Sequence, residues 1–175
     1  MIRRAVKQDI DALLPVYDAA RAYMRAKGNP DQWTADYPGR RLLEGDVDRE
    51  ALYVMEDEKG IYACFALFGG EDPTYLKIDG AWLYSTPYHT IHRIASNGRR
   101  AGVLREACAF ASAIDPHLRV DTHEKNLPMQ RAVAREGFIY CGIIHLPNGD
   151  PRLAYERISP PEGSSISVSG TPVKA

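Results

Sequence analysis

An apolar run, Leu118 to Val120 broken only by Arg119, ends in Asp121, Thr122, His123 and Glu124, and Asn126 and Pro128 follow at once. Titratable groups and an amide gather there where a strand hands over to a helix, a place at which backbone groups of both elements lack partners. A second cluster lies upstream, with Tyr88, His89 and His92 in the alternating run YHTIHRIAS. Proton transfer near neutral pH calls for a histidine, or for a carboxylate or phenol with a displaced pKa. His92, Glu124 and Tyr140 are the candidates, with His89, His123 and Tyr88 beside them. Alternation puts His92 on one strand face with Tyr88, Thr90 and Ile94, and His89 on the other with Arg93 and Ala95, so one of the two histidines faces a site there. A core histidine bonded to a carbonyl, a helix-capping Glu124 and a buried structural Tyr140 are the plainer readings of the same residues.

Directly after that strand comes NGRRAG, and a helix-patterned run starts at Val103. Free N–H groups of such a loop and the positive end of the helix dipole converge, which favours a phosphate by ~0.3–1 kcal/mol. Arg99 and Arg100 could add charge-assisted bonds. An ordinary strand-to-helix turn with two solvated arginines is the alternative. The cysteines, Cys64, Cys108 and Cys141, are odd in number, widely spaced and set among apolar neighbours, a pattern of buried thiols in a reducing cytoplasm rather than of disulfides or a metal site. Nucleophilic chemistry at Cys141 with His145 or His123 is a further option, since alternation lets Cys141 and His145 share a face.

The elements that must position these groups follow from periodicity. The chain has 175 residues, enough for one domain with a sizeable core, here 1–158, and its formal net charge is −1, so no basic field argues for nucleic acid or an anionic membrane as partner. The N-terminus lacks the apolar core of a signal peptide and no run approaches the ~20 residues of a membrane span, so a cytoplasmic protein is expected. A strand over 2–6 leads to a helix capped by Asp9, with Pro15 kinking it or starting its main segment. A helix over 39–49, two strands around an Asp-Glu-Lys-Gly turn, a short strand within YLKIDGAWL and a strand over 88–96 follow. Val103, Leu104, Ala107, Cys108, Ala111 and Ile114 recur at helical spacing. LRVDTH is a buried strand, Asn126 caps a helix ended by Gly137, and FIYCGIIHL with PRLAYERI forms a closing hairpin. Residues 159–175 turn to Ser, Pro, Gly and Val and read as a flexible tail.

Taken in order, a strand ending IAS, R-x-x-G before a helix, another strand, and NLPMQRAVAREGF before a hairpin resemble the GCN5-related N-acetyltransferase (GNAT) family. That family's loop reads [Q/R]-x-x-G-x-[G/A]; Arg99 and Gly102 match it and Leu104 departs from it. Its second segment reads N-x-x-[A/M]-x-x-L-Y-x-x-x-G-F; Asn126, Met129, Gly137 and Phe138 match, while Ala132 and Val133 stand where it has Leu-Tyr. The resemblance implies an α/β layered fold with a mixed, largely antiparallel sheet, central splayed parallel strands and helices on both faces. It implies acetyl-CoA as cosubstrate, with Arg99, Arg100, Ala101, Gly102, Val103 and Leu104 around the pyrophosphate. Ile94, Ala95 and Ser96 would pair with the pantetheine, and Asn126 and Met129 would lie opposite.

Transfer to an amine in such a site needs a proton acceptor, for which His92 or Glu124 would serve, and an N–H near Ile94 or Ala95 for the oxyanion. It also profits from a proton for the departing thiolate, where the family's phenol is replaced by Val133 and Tyr140 is the substitute. Trp33, Tyr37, Trp82, Tyr84 and Tyr88 would shape the pocket of a small-molecule or peptide amine. A non-catalytic acyl-CoA-binding module of the same fold is the alternative, and the closing hairpin offers an edge for a homodimer.

Overall fold

Residues 1–159 are described by the computed structural model. The expected tail lies outside them except for Ser159, whose N–H donates to the carbonyl of Pro116 at 2.9 Å. In chain order the elements are β1 (Ile2–Arg4), α1 (Ile10–Ala26), α2 (Arg40–Asp48), β2 (Leu52–Asp57), β3 (Gly60–Gly69), β4 (Asp79–Gly80), β5 (His89–Ser96), α3 (Val103–Ser112), β6 (His117–Thr122), α4 (Leu127–Arg135), β7 (Ile139–His145) and β8 (Pro151–Ile158). They form one sheet in the order β1-β2-β3-β5-β6-β8-β7-β4, antiparallel at every pair except β5–β6.

Each sheet face carries its own core. On one, Ile10, Leu13 and Tyr17 of α1 and Leu43 of α2 pack on Leu52, Val54, Cys64 and Ala66. On the other, Leu104, Ala107, Cys108 and Ala111 of α3 and Val133 of α4 cover Met55, Phe65, Ile91 and Val120. The period-two alternation of β2 and β3 thus feeds two apolar layers, which is why these strands read as almost continuously hydrophobic. Pro15 lies inside α1, beyond a preliminary 3-10 turn over Lys7–Asp9. Asp9 makes no side-chain cap to α1; its carboxylate accepts from Arg3 at 2.7 Å and from the Val6 N–H at 2.9 Å.

The segment between β3 and β5 is pinned to the sheet by a buried polar cluster. Glu156 accepts from the N–H of Leu83 at 2.6 Å, from Arg119 Nε at 2.8 Å, and lies 2.7 Å from His117 Nε2. The Arg119 guanidinium sits 3.9 Å from the ring centres of both Trp82 and Tyr88. Tyr75, Tyr88, Ile144 and Ala154 close the small apolar core beneath. Trp82, Tyr84 and Tyr88, expected near a substrate, are spent on this anchor. Short β4 covers part of the outer edge of β7, with Asp79 opposite Ile143 and Gly80 opposite Gly142.

Candidate active site

Strands β5 and β6 pair in register only at His89↔Leu118 and Thr90↔Arg119. Beyond Thr90 they splay, and a cleft of about 1190 Å³ opens between them. A β-bulge completes the opening: Ala66 lies opposite His92 and Cys64 opposite Ala95, so Arg93 and Ile94 have no register partners on β3. Arg93 takes a left-handed backbone with φ 50°, an uncommon conformation for a non-glycine residue. Ion pairing holds it there, since its Nε and Nη2 both donate to Asp46 Oδ2, at 3.0 and 2.7 Å, and Tyr17 donates to its carbonyl.

The bulge overturns the expected alternation. Ile91 and Ile94 pack on the α3–α4 core, whereas Ala95 joins the α1–α2 core. His92 therefore does not share a face with Ile94; it points into the cleft on the α1 side, while His89 lies 3.0 Å from Asp115 outside it.

Around His92 lies a network that the sequence does not disclose. Its Nε2 is 2.8 Å from Asp72 Oδ2, and its Nδ1 faces Asp121 Oδ1 at 4.0 Å. Tyr75 donates to that same Asp121 oxygen at 2.7 Å, and its ring lies 6.1 Å from the imidazole. Burial works against ionising Asp72, yet bonds from His92 and from the hydroxyl and N–H of Thr74 prevail and hold its carboxyl down to about 2. Asp72 is thus an acceptor throughout the neutral range. His92 Nε2 must then carry the proton of that bond, which leaves Nδ1 with a free lone pair when the ring is neutral. Burial, and next the Asp121 charge, push the Tyr75 hydroxyl well above its ordinary range, so it stays a donor.

The loop after β5, expected to take an anion, is arranged differently from expectation. Arg99 donates to the carbonyl of Gly60 at 2.8 Å and pairs with Asp57 at 2.9 Å, and Arg100 lies 3.6 Å from the same carboxylate. Both guanidiniums rest on the Tyr62 ring, tying the loop to the β2–β3 hairpin rather than reaching into the cleft. Gly98 and Arg99 give their N–H groups to Ser96 Oγ and Asn97 Oδ1. Those of Arg100, Ala101 and Gly102 make no hydrogen bond among the described residues. Gly102 turns into α3 with φ 80°, a conformation that glycine adopts without strain.

Ile94, Ala95, Ser96, Val103, Leu104, Asn126 and Met129 line the cleft with His92; Arg99 to Gly102 form the turn at its end without lining it. Asn126 bonds in two directions, its carbonyl oxygen capping α4 by accepting from the Met129 N–H at 3.2 Å and its amide donating to Gln32 Oε1 at 2.8 Å. Leu104 and Val133 are buried in the core. Glu124 is exposed and Tyr140 keeps 53% of its surface in solvent against Tyr155; neither borders the cleft. Trp33 and Tyr37 do border it, together with Phe68, Asp72, Asp121 and Arg152. Cys141 is the extra residue of a bulge in β7, so it does not share a face with His145, and burial raises its thiol pKa. Among the described residues no helix is long and apolar enough to cross a membrane.

No protein-family model and no curated protein matches the chain. Solved structures do. A GNAT-family acetyltransferase from Streptococcus agalactiae is 32% identical, with 91% of this chain and 95% of that one covered at a TM-score of 0.80. The fold recurs at lower identity in a GNAT-family acetyltransferase from Listeria monocytogenes (18%, 91% and 94% covered, TM-score 0.66) and in an N-acetyltransferase from Staphylococcus aureus (19%, 90% and 97% covered, TM-score 0.57). With an identity of 32% sustained over nearly the whole of both chains, the protein belongs to the GNAT family of N-acetyltransferases.

Proposed function

We propose that the protein transfers the acetyl group of acetyl-CoA to a primary amine held in the same cleft, by direct attack while both are bound. The observation that carries this reading is the His92–Asp72 pair, 2.8 Å apart, facing the gap between β5 and β6. Acetyl-CoA would supply an activated acyl thioester. The residues present suit it: strand groups beyond Thr90 have no partner across the gap, so an amide-rich chain could add there as a strand does. The unbonded N–H groups of Arg100, Ala101 and Gly102 stand at the N-terminus of α3, where phosphate is favoured.

The chain's own groups then divide the work. An ammonium substrate must lose a proton before it can attack, and His92 Nδ1 accepts it, directly or through water, while Asp72 fixes the ring from the other side. Asp121, 4.0 Å from Nδ1, steadies the charge that the ring gains. A backbone N–H at the bulge, near Ile94, would bond the acyl oxygen. Asn126 and Met129 close the opposite wall.

Thermal melting with and without acetyl-CoA tests the donor. At a hundredfold excess over Kd, a rise of about 5–10 °C is expected, shared by CoA but not by ATP or NAD. An amine screen with detection of free thiol follows. No shift at millimolar acetyl-CoA, together with no thiol release, overturns the reading.

A further inference from the structure

Two arginines packed inside this fold are well matched to acceptors. Arg119 donates to Glu156 and to the Tyr84 carbonyl, and Arg93 donates twice to Asp46. Arg152 borders the cleft at 5% exposure, and its bonding is poor by comparison. Its Nη1 donates to the carbonyl of Pro151 at 2.8 Å; Nε and Nη2 make no hydrogen bond among the described residues. The nearest carboxylate, Asp150, stands 3.9 Å from Nη2, keeps 53% of its surface in solvent and is itself bonded to the Asn148 amide. The side chain is packed away while these two free donors open onto the cleft, so an anion held there would meet them with paired, charge-assisted bonds.

Its position fixes what that anion could be. Ala154 lies opposite Asp121 in the β6–β8 ladder, and Arg152 is two residues further along β8. The two are diagonal neighbours, with Cα atoms ~7–8 Å apart. Asp121 is the group that faces His92 Nδ1. A cationic binding point and the amine-activating imidazole therefore stand about the length of a small molecule apart, on the same sheet face. His123, next to this corner, feels the same field: burial first and then the Arg152 charge lower its pKa.

We propose that Arg152 binds an acidic group of the acceptor, so that the substrate is a small zwitterionic amine carrying a carboxylate or a phosphorus acid a few bonds from its amino group. This rests on the acetyl-transfer reading above and narrows it. The planar fork of arginine pairs with either acid by two parallel hydrogen bonds.

The test compares kcat/KM for matched acceptors: an amino acid, its primary amide, the amine lacking the acid, and the corresponding aminophosphonate. The wild-type protein is expected to prefer one of the acids over the amide and the bare amine by about 30-fold or more. The carboxylate-to-phosphonate ratio identifies which acid. In Arg152→Gln the preference should collapse to within about 3-fold, and Arg152→Lys should retain part of it. Should Arg152→Gln melt too low to assay, inhibition of the wild type by the hydroxy-acid analogue, and not by its amide, decides instead. Equal turnover of acid and bare amine overturns the zwitterion while leaving acetyl transfer intact. An unchanged preference in Arg152→Gln overturns the assignment to this residue. No melting shift with acetyl-CoA and no acceptor turned over would remove both readings together.

Discussion

His92 Nε2 and Asp72 Oδ2 are 2.8 Å apart although twenty residues separate them in the chain. A loop carboxylate thus selects the tautomer of a strand histidine, and catalysis should depend on both. His92→Gln is expected to lower kcat by about 10²–10³-fold with little change in KM for acetyl-CoA. Asp72→Asn should lower it less, since the base survives with its proton placement disturbed. Chemical rescue separates them: added imidazole should restore part of the lost kcat in His92→Gln and none in Asp72→Asn. An unchanged kcat in both variants would assign the proton to another group.

Acid stability gives a second view of the same pair. The Asp72 carboxyl falls from its ordinary 3.8 to about 2 in the folded chain. A group depressed on folding contributes stability that is present above its unfolded pKa and lost as pH falls through the folded value. The wild type should therefore lose this contribution between about pH 4 and pH 2, and Asp72→Asn should show a shallower decline there. Urea midpoints measured across that window check it, and parallel curves would count against the ionised pair.

Most of the fold is legible in the sequence because each element announces itself locally. Val103, Leu104, Ala107, Cys108 and Ala111 recur at helical spacing and are all buried in α3, and Asn126, Pro128 and Gly137 bracket α4 as caps and punctuation predict. The site is less legible. Two patterned strands do not disclose that they part after Thr90, and nothing in HTIHRIAS marks the bulge, because Arg93 is stabilised there by Asp46 from a distant helix. Asp72 is hidden for the same reason: it lies in a loop, and only folding brings it to His92. Tyr140 and Glu124 have the right chemical type for proton transfer, but the fold sends neither to the cleft.

The bulge itself can be tested through Asp46, which is fully buried and meets two nitrogens of Arg93. Asp46→Ala leaves a largely buried guanidinium without its partner and should cost about 3–5 kcal/mol. Adding Arg93→Gly removes that charge and supplies a residue at ease with φ 50°, so the double variant should recover part of the loss. Chemical denaturation of Asp46→Ala, Arg93→Gly and the double variant measures it; strictly additive losses would show that the two residues do not act as a unit.

Asn126 joins one wall of the cleft to the segment after α1 by capping α4 and donating to Gln32. Asn126→Ala should cost about 1 kcal/mol through the cap alone. It should also raise KM for both substrates, because Gln32 and Trp33 border the cleft from the other side. Asn126→Asp keeps the cap acceptor and loses the amide donor, so it should restore stability more than KM. If both properties return together, the link to Gln32 carries no weight in binding.

The most distant control on the site lies where β4 meets β7. Gly80 and Gly142 face each other, and a Cβ on Gly142 would fall 2.3 Å from the Asp79 carbonyl oxygen while one on Gly80 would fall 2.2 Å from that of Cys141. Both clashes are with backbone, and both glycines have positive φ, 139° for Gly80 and 145° for Gly142, so neither neighbour can yield cheaply. Gly142→Ala should therefore cost roughly 1–3 kcal/mol and prise β4 from the sheet. The segment released is the one that carries Asp72 and Tyr75 to His92. Activity should fall well beyond what the drop in melting temperature explains at the assay temperature, with amide exchange accelerated over residues 72–84. A destabilised variant with normal kcat and unchanged exchange there would show that Glu156 and Arg119 hold the segment without help from this edge.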